Sequence, residues 1–268
     1  FPERAVDALS ALVRYGELRE RLKPRVPVKF EDVNPEKVRE VVSKVKAEGR
    51  AILTPTEAIE LVKAYGIRVP KVYVAKTEEE AARYAEEIGY PVVLKILSPD
   101  IVHKTDVGGV KLGLSSKEDV VNGFKEIMRN VKRYMPRARI LGIQVQEYLP
   151  QGKELIIGVT RDPQFGPLIM FGLGGIYVEV FRDVSFRLAP LTREDAEEMV
   201  KEVKFYTILR GYRGEKPSDI DAIINTILRV SQLVTDFPEI VEMDINPLFA
   251  YEKGKGCVAL DVKVTISA

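Results

Sequence analysis

The sequence predicts a protein of mixed α/β or α+β class, and two observations support this. Signals that start helices recur along the chain, each followed by apolar residues at helical spacing. Short apolar runs bounded by glycine and proline lie between these helices and are typical of strands. Because the two patterns are mixed along the whole chain, the sequence excludes a helical bundle and an all-β sandwich.

The composition limits the classes of function. The chain has 268 residues, 46% of them hydrophobic, which is enough for one two-lobed domain or two small domains. Charged residues make up 30%, yet the net charge is only +1, which argues against nucleic-acid binding. The sequence contains no membrane-spanning apolar run and no secretory signal, so we expect a cytoplasmic protein without membrane attachment. The single cysteine, Cys257, excludes an internal disulfide.

The first fifty residues are predicted to form a helical extension and a linker. One helix is expected from residue 2 to about residue 23, and residues 25–32 form the linker. Asn34 is a good cap for a second helix, and Pro35 fits its first turn. That helix is expected to end at Gly49.

From residue 52 onward helices and strands follow one another regularly. Thr54 and Thr77 open helices through capping boxes with Glu57 and Glu80. Further helices are predicted over residues 116–134, 192–201 and 218–235. Strands are predicted over residues 71–75, 91–97, 140–147, 155–160, 168–171, 240–245 and 258–264.

A lysine lies in the middle of one apolar strand. An ammonium group at Lys95, within the run 91–97, is costly to bury unless an anion neutralises it. Phosphate oxygens are one such anion. The alternative is a solvent-facing lysine that protects an edge strand against aggregation, and the strand alone does not decide between the two.

The loop after this strand contains the only histidine of the chain, His103, and the pair Gly108 and Gly109. Glycine lets the backbone approach a ligand closely or adopt a positive φ. A neutral imidazole is a competent nucleophile toward phosphorus. The alternative is an ordinary solvated loop histidine.

A polar segment follows the strand predicted over residues 140–147. It consists of Gln146, Glu147, Tyr148 and Leu149, and Glu154 starts the next strand. Such a segment suits a hinge between two lobes, with adenine held by backbone groups. The alternative is an ordinary strand end with an exposed polar cluster.

Acidic and amide side chains alternate near the C terminus. Alternation places Glu242, Asp244 and Asn246 on one face of a strand, and a hairpin brings Asp261 alongside. Oxygen ligands of this kind suit Mg²⁺, which usually takes one or two carboxylates plus substrate phosphates. The alternative, a polar outer face of an edge hairpin, is less favoured because stacked acceptors repel one another without a cation.

Four segments, in this order, resemble the beta subunits of ADP-forming acyl-CoA synthetases, that is, ADP-forming acetate–CoA ligases. The segments are Lys95, the loop from His103 to Gly109, residues 210–214 (Arg-Gly-Tyr-Arg-Gly) and residues 242–248 (Glu-Met-Asp-Ile-Asn-Pro-Leu). The resemblance extends from about residue 51 to the C terminus. A more distant similarity is to the beta subunit of succinyl-CoA synthetase.

The resemblance implies an ATP-grasp fold, in which ATP or ADP lies in a cleft between two lobes. Residues 1–50 would form the helical extension and linker, and residues 51–268 the ATP-grasp domain. Its small lobe would run from about residue 72 to 149, and its large lobe would comprise about 51–71 and 150–268.

The resemblance also implies a role for each candidate residue. His103 is the histidine that is transiently phosphorylated, and Asn246 and Asp261 bind Mg²⁺. The nucleotide site comprises Lys95 at the phosphates, Gly108 and Gly109 in the adjacent loop, Gln146, Glu147, Tyr148 and Leu149 at the adenine, and Glu154.

By the same resemblance, the chain works with a CoA-binding alpha subunit in a hetero-oligomer containing two copies of each subunit. Acyl-CoA and phosphate would react on the partner. The phosphoryl group would then pass through a partner histidine to His103 and on to ADP, so that acyl-CoA, ADP and phosphate yield acid, CoA and ATP.

Two other functions stay open at this point. Another type of ATP-grasp ligase, joining a carboxylate to an amine or a thiol, would need Lys95 and the metal ligands but not His103. A non-catalytic nucleotide-sensing subunit would bind nucleotide without phosphoryl transfer, although the full set of site residues argues against it.

Overall fold

The computed structural model describes residues 2–21, 26–101, 104–175 and 183–267. Within these ranges the chain forms two sheets, each with helices packed on one face. None of the helices there combines the length and the apolar character needed to cross a bilayer.

Three helices precede the first strand: α1 (Pro2–Arg21), α2 (Pro35–Ala47) and α3 (Pro55–Ala64). The apolar residues of α1 do not join the core, and Val6, Leu9, Leu12, Val13 and Tyr15 are 55–67% exposed. In contrast, α2 and α3 bury their apolar faces in the core of the larger sheet. The N-terminal extension therefore consists of one solvent-exposed helix and one packed helix.

The smaller sheet has four antiparallel strands in the order β1-β4-β2-β3. They are β1 (Val72–Ala75), β2 (Val92–Leu97), β3 (Val110–Leu114) and β4 (Gly142–Glu147). Helices α4 (Glu78–Ile88) and α5 (Lys117–Tyr134) cover one face of this sheet. Strand β3 is not among the predicted elements, because this short edge strand is interrupted by Lys111 and Gly113.

The larger sheet has the order β10-β8-β5-β6-β7, with β9 paired to β8. Its strands are β5 (Lys153–Asp162), β6 (Gly166–Leu173), β7 (Val184–Leu188), β8 (Ile240–Ala250), β9 (Cys257–Ala259) and β10 (Val262–Ile266). The remaining helices are α6 (Arg193–Glu202), α7 (Tyr206–Leu209) and α8 (Ile220–Asp236). Residues of α2, α3, α6 and α8 share one core with one face of this sheet.

The helix starts follow the predicted caps, with one difference. The side chains of Asn34, Thr54 and Ser116 cap α2, α3 and α5, and α3 has both halves of its capping box. Thr77 caps α4, but the Glu80 carboxylate accepts from the Lys76 N–H instead of completing the predicted box. The N–H of Lys76 thus takes the place of the expected donor, the N–H of Thr77, and the helix still begins where it was predicted to begin.

The C-terminal elements differ from the prediction in two places. The strand expected over residues 258–264 is divided into β9 and β10, because its regular pairing with β8 is interrupted at Leu260 and Asp261. Helix α8 is capped by the side chain of Asp219, one residue after the predicted start. The short elements β7 and α7 are additions to the predicted set, since pieces of five and four residues carry little periodic signal.

The faces of the two sheets that are free of helices look toward each other across a cleft. On β2, Leu94 and Ile96 enter the helix-covered core, so Lys95 points to the opposite face. The ammonium of Lys95 interacts electrostatically with Asp261 of the larger sheet. Residues 148–152 connect the two sheets at one end of this cleft.

Candidate functional site

Lys95 is the cationic centre of the cleft. Burial lowers the pKa of its ammonium, the carboxylate of Asp261 raises that pKa in part, and the neighbouring charge of Lys104 lowers it further. Its cross-strand neighbours on the same sheet face are Gln144 of β4 and Val110 of β3. A half-buried ammonium in this position favours a ligand that brings negative charge.

The loop after β2 folds back onto the strand next to Lys95. The N–H of Gly109 donates to the carbonyl of Lys104 (2.8 Å), and the N–H of Ile96 donates to the carbonyl of Gly109 (2.8 Å). A Cβ added to Gly109 would lie 2.5 Å from Cγ2 of Ile96, and Gly108 has a φ of +62°. Both glycines are therefore needed for this turn. His103 lies outside the described residues.

The predicted hinge segment ends β4 and leads out of the smaller sheet. The N–H of Glu147 donates to the carbonyl of Lys71 (2.9 Å), and its carboxylate accepts from the N–H of Lys71 (3.2 Å). Gln146 is buried, Leu149 is half-buried and Tyr148 is exposed. These residues lie where the chain passes from one sheet to the other, at the end of the cleft.

Glu154 and Asn246 meet at the end of β6. The N–H of Gly174 donates to the carbonyl of Glu154 (2.8 Å), and the N–H of Gly175 donates to Oδ1 of Asn246 (3.1 Å). A Cβ added to Gly175 would overlap the carboxylate of Glu154. Gly174 and Gly175 therefore bring an acid from β5 and an amide from β8 close together.

Asn246 and Asp261 are joined through their backbones. The N–H of Asn246 donates to the carbonyl of Asp261 (3.2 Å), and Leu260 donates to the carbonyl of Pro247 (3.0 Å). The residues thus supply an amide and a carboxylate oxygen from adjacent chain segments, which fits the one or two protein ligands that Mg²⁺ takes beside phosphates. Among the described residues no three His, Cys, Asp or Glu side chains form a metal-binding group.

Further acidic side chains lie on β8, next to Asp261. Glu242 and Asp244 share the cleft face, and Asp244 pairs with Lys263 across the ladder. Burial raises the pKa of Asp244, Lys263 lowers it, and Asp261 and Glu242 raise it again. A cavity of 580 Å³ lies here, lined also by Lys104 from the loop after β2. The predicted alternation holds for Glu242 and Asp244, and Asn246 lies at a register shift between β5 and β8, where its Oδ1 accepts from the N–H of Gly175.

Three polar residues of the cleft are not among the sequence-based candidates: Lys104, Gln144 and Lys263. Lys104 adjoins the histidine loop, and Lys263 stands in an apolar strand just as Lys95 does. Gln144 lies two residues before Gln146 on the same strand face. The signal that identified Lys95 was therefore also present at Lys263.

The comparisons with known proteins agree on one family. The model of the ATP-grasp domain family matches residues 44–266. The beta subunit of acetate–CoA ligase (ADP-forming) I from Pyrococcus furiosus is 51% identical over 86% of this chain and 98% of its own length. Acetate–CoA ligase (ADP-forming) I from Archaeoglobus fulgidus is 52% identical over 96% of this chain, which spans only 37% of that longer protein.

Solved structures of similar sequence have the same fold. The dinucleotide-forming acetyl-coenzyme A synthetase 1 of Ca. Korarchaeum cryptofilum, with coenzyme A, Ca-AMPCP and HgCl⁺, is 52% identical at a TM-score of 0.81, covering 85% of this chain and 99% of that one. Another structure of that synthetase, 47% identical at a TM-score of 0.77, holds coenzyme A and Mg-AMPPCP, with its phosphohistidine segment pointing towards the nucleotide-binding site. The chain therefore belongs to the ATP-grasp proteins and, among them, to the family of the beta subunits of ADP-forming acetate–CoA ligases.

Proposed function

We propose that this chain is the nucleotide-binding subunit of an ADP-forming acyl-CoA synthetase, which passes a phosphoryl group between His103 and ADP. The observation that carries the proposal is the interaction across the cleft between a half-buried ammonium, Lys95, and Asp261, whose carbonyl accepts from the N–H of Asn246. One sheet supplies a cation for phosphate oxygens, and the other supplies ligands for the metal that accompanies them. We propose a small lobe over about residues 72–149 and a large lobe formed by about 51–71 and 150–268, and the division of the strands into two sheets supports these limits.

Each residue of the site has a role in holding the nucleotide. Lys95 binds phosphate oxygens, and the backbone of Gly108 and Gly109 closes the adjacent turn against β2. Gln146, Glu147, Tyr148 and Leu149 surround the adenine at the hinge, and Glu154 contacts the nucleotide from the larger sheet. Asn246 and Asp261 would hold Mg²⁺, which when bound neutralises charge on the phosphates.

His103 is the residue that would carry the phosphoryl group. One ring nitrogen of the neutral imidazole attacks the γ-phosphorus of ATP, the bond to the oxygen shared with the β-phosphate breaks, and the electron pair leaves with ADP. The reverse step makes ATP. Two facts support this role: the loop begins directly after the strand of Lys95, and the Korarchaeum synthetase has a phosphohistidine segment that points towards its nucleotide site.

A CoA-binding alpha partner would complete the reaction. The Archaeoglobus relative is a longer protein of which this chain matches 37%, whereas the Pyrococcus relative is a separate beta subunit. We infer that acyl-CoA and phosphate react on this partner, in a hetero-oligomer with two copies of each chain. Alone, the chain should bind Mg-nucleotide and make no acyl-CoA.

The experiment that tests the function is labelling of the chain with γ-³²P-ATP and Mg²⁺. We expect label at His103 that survives alkali and is lost in mild acid, as a phosphorus–nitrogen bond is. The His103→Ala variant should take up no label while keeping its affinity for MgADP, because Lys95 and the metal ligands remain. The matched control is Thr105→Ala in the same loop, where the carbonyl of Thr105, not its side chain, accepts from Gly108 (3.0 Å).

The labelling is repeated with the alpha partner present, carrying a replacement of its own phosphorylated histidine. Label on the His103→Ala chain, or none on the wild type, would refute the histidine relay. Nucleotide binding without label would then favour a nucleotide-sensing subunit, and nucleotide-dependent joining of an acid to an amine would favour another ATP-grasp ligase.

A further inference from the structure

We infer that Gln144 is a phosphate-binding residue of the cleft, an inference that rests on the nucleotide-binding function proposed above. Its side chain belongs to β4 and is only 5% exposed. Among the described residues, it has no hydrogen-bond partner. Since Tyr90 Oη is the one side-chain polar atom in the described ranges that is sealed from solvent without a partner, the amide of Gln144 reaches solvent and is open to a ligand.

The register of the smaller sheet shows where the amide lies. Gln144 stands opposite Val74 of β1 and Lys95 of β2, so all three side chains share one face. The neighbours Ile143 and Val145 enter the helix-covered core on the other face. Gln144 is therefore on the cleft face, at the level of the lysine.

The neighbours of Gln144 define which chemistry it needs. Val74 has no polar side-chain atom, and the ammonium of Lys95 is a donor only. The NH₂ group of Gln144 must therefore find its acceptors in the cleft. Two donors side by side, one of them charged, suit a ligand with several anionic oxygens, as a nucleoside diphosphate presents.

The position along β4 separates this role from adenine binding. Gln144 precedes Gln146 by two residues on the same face, and two residues of a strand span about 6.8 Å. The hinge lies beyond Gln146, toward Tyr148, whereas Lys95 is directly opposite Gln144. The amide of Gln144 therefore lies on the phosphate side of the nucleotide and not at the base.

The test compares MgADP and adenosine binding by the full chain, with calorimetry for MgADP and ligand-observed NMR for adenosine. We expect Gln144→Leu to weaken MgADP binding by about tenfold or more, since a hydrogen bond to a charged group is lost. Adenosine affinity should stay the same. The melting temperature of the unliganded variant should stay close to that of the wild type, because the amide forms no hydrogen bond with the described residues.

A matched control is Gln232→Leu in α8. Gln232 is equally buried, at 7% exposure, but its amide accepts from the N–H of Phe30 (2.7 Å) and donates to the Phe30 carbonyl (3.1 Å). This variant should show the opposite pattern, a lower melting temperature with unchanged MgADP affinity. Gln144→Glu, which keeps the shape but replaces the donors with a carboxylate, should also weaken MgADP binding.

Three results would overturn the inference while leaving the proposed function intact. They are unchanged MgADP affinity in Gln144→Leu, wild-type MgADP affinity in Gln144→Glu, and an equal loss of adenosine affinity in Gln144→Leu, which would place the amide at the base or ribose. Failure of the wild-type chain itself to bind MgADP would refute both the inference and the proposed function.

Discussion

At the scale of single residues, Lys95 shows that a binding side chain is unfavourable for the unliganded fold. Burial lowers the pKa of its ammonium, and the charge of Asp261 offsets that effect only in part. Lys104 adds repulsion from a like charge. The charged lysine therefore reduces the stability of the unliganded protein. Bound phosphate groups would offset the unfavourable burial of its charge.

We therefore predict that Lys95→Met loses MgADP affinity by about tenfold or more while its melting temperature at pH 7 equals or exceeds that of the wild type. Because the folded-state pKa of Lys95 is lowered, the destabilisation by its charge is present below that lowered pKa and declines as the pH rises through it toward the ordinary lysine value of about 10.4. The difference in melting temperature should therefore narrow at alkaline pH.

The matched control for Lys95 is Lys111→Met in the neighbouring strand β3. Lys111 forms an ion pair with Glu126 of α5 (2.6 Å) on the helix-covered side of the sheet. Scanning calorimetry and MgADP titration should show no change in affinity for this variant. A marked fall in the melting temperature of Lys95→Met would contradict the account of Lys95.

The contrast between Lys95 and Gln144 shows what could be predicted from the sequence at this scale. A charge inside an apolar strand is conspicuous in one sequence, because its burial is costly wherever the strand packs. Gln144 is uncharged, and the sequence alone does not show on which face of the sheet its side chain lies. Its significance depends on which face looks into the cleft, and that follows only from the pairing of β1, β2 and β4.

At the scale of elements, the start of α3 is held by a buried carboxylate. Glu57 accepts from the N–H of Thr54 (2.8 Å) and from two nitrogens of Arg50 (2.9 and 3.1 Å). Burial alone would raise the pKa of Glu57, but the hydrogen bonds from Arg50 and the Thr54 backbone bring it down to about 2. The folded state therefore favours the ionised carboxylate.

We predict that Glu57→Gln destabilises the chain at pH 7 by on the order of 3 kcal/mol, the equivalent of this pKa shift. Because the folded-state pKa is depressed, the stabilisation is present above the ordinary value and disappears as the pH falls from about 4.5 to about 2. Urea unfolding should show that the difference in the free energy of unfolding between the wild type and Glu57→Gln is less than half as large at pH 3 as at pH 7.

The control for Glu57 is Glu36→Gln at the start of α2. Glu36 pairs with Arg39, but its side chain is 83% exposed, so the change should be close to neutral at both pH values. Two results would contradict the stabilisation of α3 by the Glu57 carboxylate. One is an equal loss in the free energy of unfolding for both variants, and the other is a loss for Glu57→Gln that does not change with pH.

The helix caps and the strand β3 show which elements could be predicted and which could not. Capping is local, so a Thr or Asn followed by Glu or Pro predicted the starts of α2 and α3. In β3 the only local signal is the weak alternation of five edge residues, and its pairing with β2 decides the structure. Asn246 lies where the pairing of β8 with β5 shifts register, and its Oδ1 accepts from the N–H of Gly175, a contact that no local pattern encodes.

At the scale of the whole molecule, residues 26–33 tie the N-terminal extension to α8. Phe30 exchanges two backbone hydrogen bonds with the side chain of Gln232, and the guanidinium of Arg229 lies 4.1 Å from the centre of the Phe30 ring. Arg229 also binds Asp32 (2.8 Å). Helix α1, in contrast, leaves its apolar side chains exposed.

We predict that deletion of residues 1–21 leaves the melting temperature within about 2 °C of the full chain, whereas deletion of residues 1–33 lowers it by roughly 5 °C or more. The second deletion removes Phe30 and Asp32, and with them the hydrogen bonds of Gln232 to Phe30 and of Arg229 to Asp32. Calorimetry of both chains, with MgADP titration, tests this. A large loss of stability on removing only residues 1–21 would show that α1 contributes to the folded core.

The alternation along β8 has a consequence for how activity appears during folding. Met243 and Ile245 enter the core, while Glu242 and Asp244 face the cleft. A slip of one residue in pairing would exchange these sets, burying carboxylates and exposing core residues. A misfolded chain in which β8 is paired one residue out of register should therefore not bind nucleotide. Regain of MgADP binding after dilution from urea should consequently coincide with the last cooperative phase of refolding and never precede it.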